Sequence, residues 1–153
     1  MRLARAHSLN EGAGVWQSLN EYAWLISVFN APSLEIDSRS GRSIRSHVDR
    51  EFAVRGWAMD CKIDPASNLK VTAKHRGLAF QVQTGNVGRA AYDLLKLQHL
   101  FHSGAVDAVA LAVPTKEAAG IIGSNIANGE RLWAEMQLFR EQLTAPFVMV
   151  EFE

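Results

Sequence analysis

The stretch Val106-Asp107-Ala108-Val109-Ala110-Leu111-Ala112-Val113, closed by Pro114, limits the fold more than any other part of the chain. It is almost continuously apolar, of strand length, and too short to cross a membrane. A strand exposed on one face alternates polar and apolar residues; a run like this one suits a strand with both faces covered. Helices must then lie on both sides of its sheet, so the expected class is α/β. Pro114 cannot donate to a ladder and ends the run.

The rest of the chain supplies the covering elements. Val15, Trp16, Leu19, Tyr22, Ala23, Ile26 and Phe29 fall at helical spacing, which predicts one helix over about 11–29, ended by Asn30-Ala31-Pro32. A second helix is expected over 42–55, where Ile44, Val48 and Phe52 stand four apart and Gly56 is a natural stop. Strands follow at 57–63, 69–73 and 78–83, separated by the turns Asp64–Asn68 and His75-Arg76-Gly77. Thr84-Gly85-Asn86 leads into a helix at 87–102, broken by Ser103-Gly104. Beyond the buried strand come helical pieces at 116–122 and 129–143 and a last strand at 147–152. The predicted order is α, α, β, β, β, α, β, α, α, β. No repeat or linker interrupts it, so a single domain over 1–153 is expected.

Charge is balanced overall but not along the chain. Through Arg76, eleven Lys or Arg stand against eight Asp or Glu (+3); after it, five stand against eight (−3). The basic half holds Arg39, Arg42, Arg45, Arg50 and Arg55, a cluster suited to phosphates. Asp49 and Glu51 sit among them, so a solvated helix face explains it equally. No apolar run reaches the roughly 20 residues of a membrane helix. A single cysteine, Cys61, excludes an internal disulfide framework and suits a small core residue. With no signal segment apparent, a cytoplasmic protein is expected.

Most catalytic signatures are missing. His7, His47, His75, His99 and His102 show no zinc spacing; His99 and His102 are three apart on a helix, with no partner to complete a site. There is no nucleophile elbow and no Walker loop. Trp16, Trp24, Trp57 and Trp133 are scattered, as packing residues are.

One constellation remains. Thr72, Lys74, the turn at Gly77, the strand Leu78–Val82 with Gln81 and Gln83, Gly85-Asn86, then Arg89, Tyr92-Asp93-Leu94 and Lys96 form a connected pattern. It resembles the central segment of the BglII-type restriction endonucleases, within the PD-(D/E)xK superfamily. Arg55-Gly56-Trp57 upstream, and Val106-Asp107, Val113-Pro114 and Ala145-Pro146 downstream, extend the likeness over most of the chain. The resemblance implies a restriction-endonuclease-like core, αβββαβ, with a central mixed sheet flanked by helices. It also implies double-stranded DNA as partner, a homodimer, and Mg²⁺-dependent phosphodiester hydrolysis. In that chemistry the metal polarises the phosphate and acidifies a water, and Mg²⁺ takes hard oxygen ligands, usually one or two carboxylates.

The chain departs from the family at the positions that matter most. Thr72 stands at the first carboxylate position and Gln81 at the second; only Gln83 matches a residue the family accepts. Glu35, Asp37 or Asp64 are the candidate substitutes, though Asp64 ahead of Pro65 also reads as a turn residue. Arg39, Arg42, Arg45, Lys74 and Arg89 are the expected phosphate contacts, with Asn86 near the cleft. The amides of Gly85–Gly88 suit either a phosphate or simply a tight turn. The leading expectation is a DNA-associated, catalytically impaired relative that holds no metal. The alternatives are an active Mg²⁺-dependent endonuclease with displaced carboxylate ligands, and a nuclease fold reused for protein–protein or regulatory contacts.

Overall fold

The structure is a computed structural model that describes residues 1–153. Six strands form one mixed sheet: β1 (Leu3–Leu9), β2 (Ala58–Lys62), β3 (Lys70–His75), β4 (Leu78–Val82), β5 (Ala108–Pro114) and β6 (Phe147–Phe152), in the order β1-β6-β5-β4-β3-β2. The middle three strands are parallel, and both margins are antiparallel. The helices are α1 (Gly12–Ser18), α2 (Tyr22–Val28), α3 (Ser40–Val54), α4 (Val87–His102), α5 (Lys116–Ile122) and α6 (Gly129–Leu138). No helix is long and apolar enough to cross a membrane.

β5 is buried over its whole length, as its composition predicts. Its alternation divides the protein into two cores. Ala108, Ala110 and Ala112 face the core under α1, α2 and α3; Val109, Leu111 and Val113 face the one under α4 and α6. The small side chains lie on the aromatic side. There Phe52 stacks on Phe80 with ring centroids 4.3 Å apart, and Phe29 on Phe152 at 5.3 Å. Ala110, in register with Phe80 on β4 and Val148 on β6, leaves these rings their space.

α3 and α4 lie close to where their periodicity put them. Ile44, Val48 and Phe52 are fully buried. Both helices end in a Schellman turn. Gly56 takes φ 88°, and Trp57 N donates to Phe52 O at 3.0 Å; Gly104 takes φ 69°, and Ala105 N donates to Leu100 O at 3.0 Å.

Three expectations need correction. The helix expected over 11–29 is two helices, because Asn20 at φ 59° closes α1 with the same motif: Glu21 N donates to Trp16 O and Asn20 N to Gln17 O. Asn tolerates this left-handed conformation better than other non-glycine residues. The helix expected to reach 143 stops at Leu138. And residues 3–9, left unassigned from sequence, form the edge strand β1 on β6. Arg5 and the half-buried His7 on that strand mask its pattern while protecting the open edge.

The division into small and large faces of β5 is testable. Ala110→Leu adds apolar surface yet should lower stability by about 1–3 kcal/mol through overpacking against the phenylalanines. Urea unfolding measures this, and an unchanged midpoint would contradict the packing described.

Candidate functional site

The hairpin of β3 and β4 is regular from His75/Leu78 to Ala73/Phe80 and then opens. Val71 packs in the α4 side core and Ala73 in the opposite one, so β3 changes face at Thr72. On β2, opposite Thr72 in the register, Asp60 takes φ 50°.

Where the two strands part, side chains replace the ladder. Val82 N donates to Thr72 Oγ1 at 3.1 Å, and Thr72 N donates to Gln81 Oε1 at 3.0 Å. Thr72 Oγ1 lies 3.4 Å from Gln81 Oε1, and Gln81 Nε2 donates to Val82 O at 3.3 Å. The two residues are clasped together, and their polar atoms are spent on each other and on backbone.

Gln83 continues the line into α4. Its Nε2 donates to Asp93 Oδ2 at 2.6 Å, and its Oε1 accepts from Gly85 N at 2.7 Å. Asp93 is 4% exposed and ion-paired with Lys96, Oδ1 to Nζ 2.6 Å. Lys96 also donates to Lys70 O at 2.8 Å, tying α4 to β3. Asp93 and Lys96 are the pair that sequence reasoning passed over as site residues. Their i,i+3 spacing on one helix was the available signal.

These groups line a cleft of about 1110 Å³ between α3, the end of β4 and the start of α4. Arg42, Arg45, Gln81, Gln83, Asn86 and Arg89 all reach it. Among its lining side chains Asp93 is the sole carboxylate, against Arg42, Arg45, Arg89 and Lys96. Arg45 is held at 2.7 Å by Asp49 and 2.9 Å by Asp60, whereas Arg42 and Arg89 pair with no acid. Arg39 borders a neighbouring groove instead, and Lys74 lies back along β3. Thr72 is buried behind the wall, 1% exposed.

Three amides in the first turn of α4 are occupied. Val87 N donates to Asn125 O, Gly88 N to Asn86 Oδ1 and Arg89 N to Asn86 O. Gly85 N is bound to Gln83 and Asn86 serves as the cap of α4, while neither Gly85 nor Gly88 takes a positive φ.

The candidate carboxylates stand apart from the clasp. Asp64 Oδ1 accepts from Ala66 N at 2.7 Å within its turn. Asp37 accepts from Arg39 N at 2.7 Å and Ser40 Oγ at 3.0 Å; the first of these bonds above all lowers its pKa. Glu35 is exposed and lines none of this cleft. No three His, Cys, Asp or Glu side chains converge as a metal would need. A hydroxyl, two amides and a carboxylate already neutralised by lysine are a poor donor set for Mg²⁺. Cys61 has its pKa raised by burial, which suits a packing residue more than a nucleophile.

A sequence profile described as restriction endonuclease BglII/BglIII matches residues 4–151. The chain belongs to this family. Among solved structures it is similar to restriction endonuclease BglII complexed with a DNA 16-mer, with TM-score 0.78 and 13% identity, covering 100% of this chain and 78% of that one. It is similar also to free BglII, with TM-score 0.74 and 11% identity, covering 100% and 80%. Identities this low establish a shared fold: a mixed sheet flanked by helices. No curated protein matches the sequence.

Two substitutions check the geometry of this BglII-family site. Thr72→Val leaves the buried Val82 N–H without its acceptor and should cost about 1–3 kcal/mol, read as a fall in Tm. Lys96→Met strands the Asp93 charge and should cost about 3–5 kcal/mol. Pairing it with Asp93→Asn should restore most of that loss, and a double variant no better than the single would disprove the coupling.

Proposed function

We propose that this chain is a DNA-binding member of the BglII family that has lost phosphodiester hydrolysis. The observation that carries the reading is the Thr72–Gln81 clasp. The positions that match the family's two carboxylates hold neutral side chains bonded to each other, which offer a divalent ion neither charge nor open geometry. Duplex DNA is the natural partner, since the similar BglII structure holds DNA and the cleft carries four cationic side chains against one acid. Arg42 and Arg89 are the primary phosphate contacts, Arg45 is a constrained third, and the exposed Asn86 lines the same cleft. Arg39 and Lys74 play at most an outer role. The protein acts as a homodimer, as family membership suggests, and its single cysteine suits the cytoplasm.

An active enzyme with displaced ligands finds less support. Glu35 and Asp64 lie outside the cleft, and Asp93 inside it is saturated by Gln83 and Lys96. A protein-binding module has one observation in its favour: Leu138 and Phe139, adjacent at the end of α6, are 75% and 52% exposed.

Two measurements decide between these readings. Supercoiled plasmid incubated with Mg²⁺ or Mn²⁺ should remain unnicked at high protein excess; nicking that Gln83→Ala abolishes would overturn the loss of hydrolysis. A labelled duplex should be retarded at low salt, with log K falling against log salt at a slope of about −3 for three phosphate contacts. Arg42→Ala and Arg89→Ala should each flatten that slope by about one unit. No retardation at any salt would end the DNA reading.

A further inference from the structure

The cationic cleft does not end at Lys96. It shares Leu69, Tyr92 and Lys96 with a second groove of about 310 Å³, which runs between the β2–β3 turn and the outer face of α4. That volume is at the lower end of what holds a small organic group. The character changes across the boundary. Ile63, Leu69, Tyr92 and Leu95 supply the apolar wall, with His99 one helical turn beyond Leu95.

These side chains are unusually open for their type. Leu95 is 62% exposed, Tyr92 48% and Leu69 36%. Tyr92, Leu95 and His99 fall on one face of α4 at i, i+3 and i+7. Lys96, at the boundary, is already engaged by Asp93 and Lys70, so it shapes the wall more than it competes for a ligand. Arg42 and Arg89, across the cleft, have no acidic partner.

A paired, stacked duplex presents phosphates and groove edges to such a surface, and keeps its base faces inside. It can satisfy the arginines but has nothing to lay on Tyr92. A nucleotide that has left the stack presents both chemistries side by side: a charged backbone and a flat apolar base. An aromatic ring next to a basic track is how proteins hold single-stranded nucleic acid. We propose that the groove at Tyr92 receives one unstacked nucleobase while the phosphates beside it lie against Arg42 and Arg89. The preferred ligand is therefore DNA with an unpaired base, in a bulge or a single-stranded stretch, over a continuous duplex. This inference rests on the DNA-binding reading of the same cleft.

The test uses the full chain and three labelled probes of one sequence: a perfect duplex, the duplex with a single-base bulge, and the single strand. Fluorescence anisotropy should show the bulged probe bound at least about fivefold tighter than the duplex, the low end of what stacking one base on an aromatic ring contributes. With 2-aminopurine as the bulged base, binding should quench its fluorescence. Tyr92→Ala should bring the affinity ratio close to one and abolish the quenching. Tyr92→Phe, which keeps the ring, should restore both, which separates stacking from a general loss of fold.

Equal affinity for bulge and duplex, or quenching that survives Tyr92→Ala, overturns this inference and leaves DNA binding standing. No binding of any probe removes both. If Tyr92→Ala splits a dimer in sedimentation velocity and the aminopurine is never quenched, the groove is a contact between copies, and the inference is again overturned.

Discussion

β5 has to be screened from water on both faces at once, and the rest of the architecture follows from how that is done. Its carbonyls and amides are paired to parallel neighbours on either side, β4 and β6. Its side chains are divided between two cores, alanines toward the phenylalanines and larger aliphatics toward α4 and α6. Parallel pairing requires crossover connections, and the crossover from β4 to β5 is α4. The start of α4 is thereby fixed beside the end of β4, which brings Gln83 within reach of Asp93. A cleft at the carboxyl ends of parallel strands is thus a consequence of burying β5.

Two carboxylates set side by side on parting strands would repel unless a cation lay between them. Thr72 and Gln81 are neutral, and bonds among uncharged groups sew the opening together. The same logic holds one step further on. The one acid that lines the cleft has its charge answered by Lys96 on its own helix. Thr72, Gln81, Gln83, Asp93 and Lys96 each have a partner inside the chain. Such a line is suited to rigidity.

Much of this was legible in the sequence, for identifiable reasons. Strong periodicity and glycine-bearing ends located α3, α4 and β5, since burial of one stripe and a left-handed terminal residue leave unambiguous traces. The break at Asn20 was hidden because asparagine fills the role of glycine there without advertising it. β1 was hidden because an edge strand carries the charges that keep it from aggregating. In the site, the sequence shows Thr72 and Gln81 on either side of one turn, and the fold brings them within hydrogen-bond reach. The sequence does not tell which arginines are already engaged. Arg45 is held by Asp60, fifteen residues away on a different element, a pairing that depends on how α3 crosses β2. Nor does the sequence choose between a phosphate and a tight turn for the amides of Gly85–Gly88, three of which are taken within the chain by Gln83, Asn125 and Asn86.

The charge balance narrows what the cleft can do. A protein with a net charge of zero has little long-range pull on a polyanion, so attraction must arise over short distances. The acids of the second half lie largely elsewhere: Glu117, Glu130, Glu151 and Glu153 gather around a separate depression near β1, with Arg2 and Arg5. Separating the signs leaves the cleft locally positive without making the molecule sticky to every phosphate backbone. Two unpaired arginines in a neutral protein cannot hold a duplex against physiological salt by counterion release alone. Any useful affinity must then draw on contacts that salt does not screen, and the apolar wall of Tyr92, Leu95 and Leu69 is the surface adjoining the cleft that offers them.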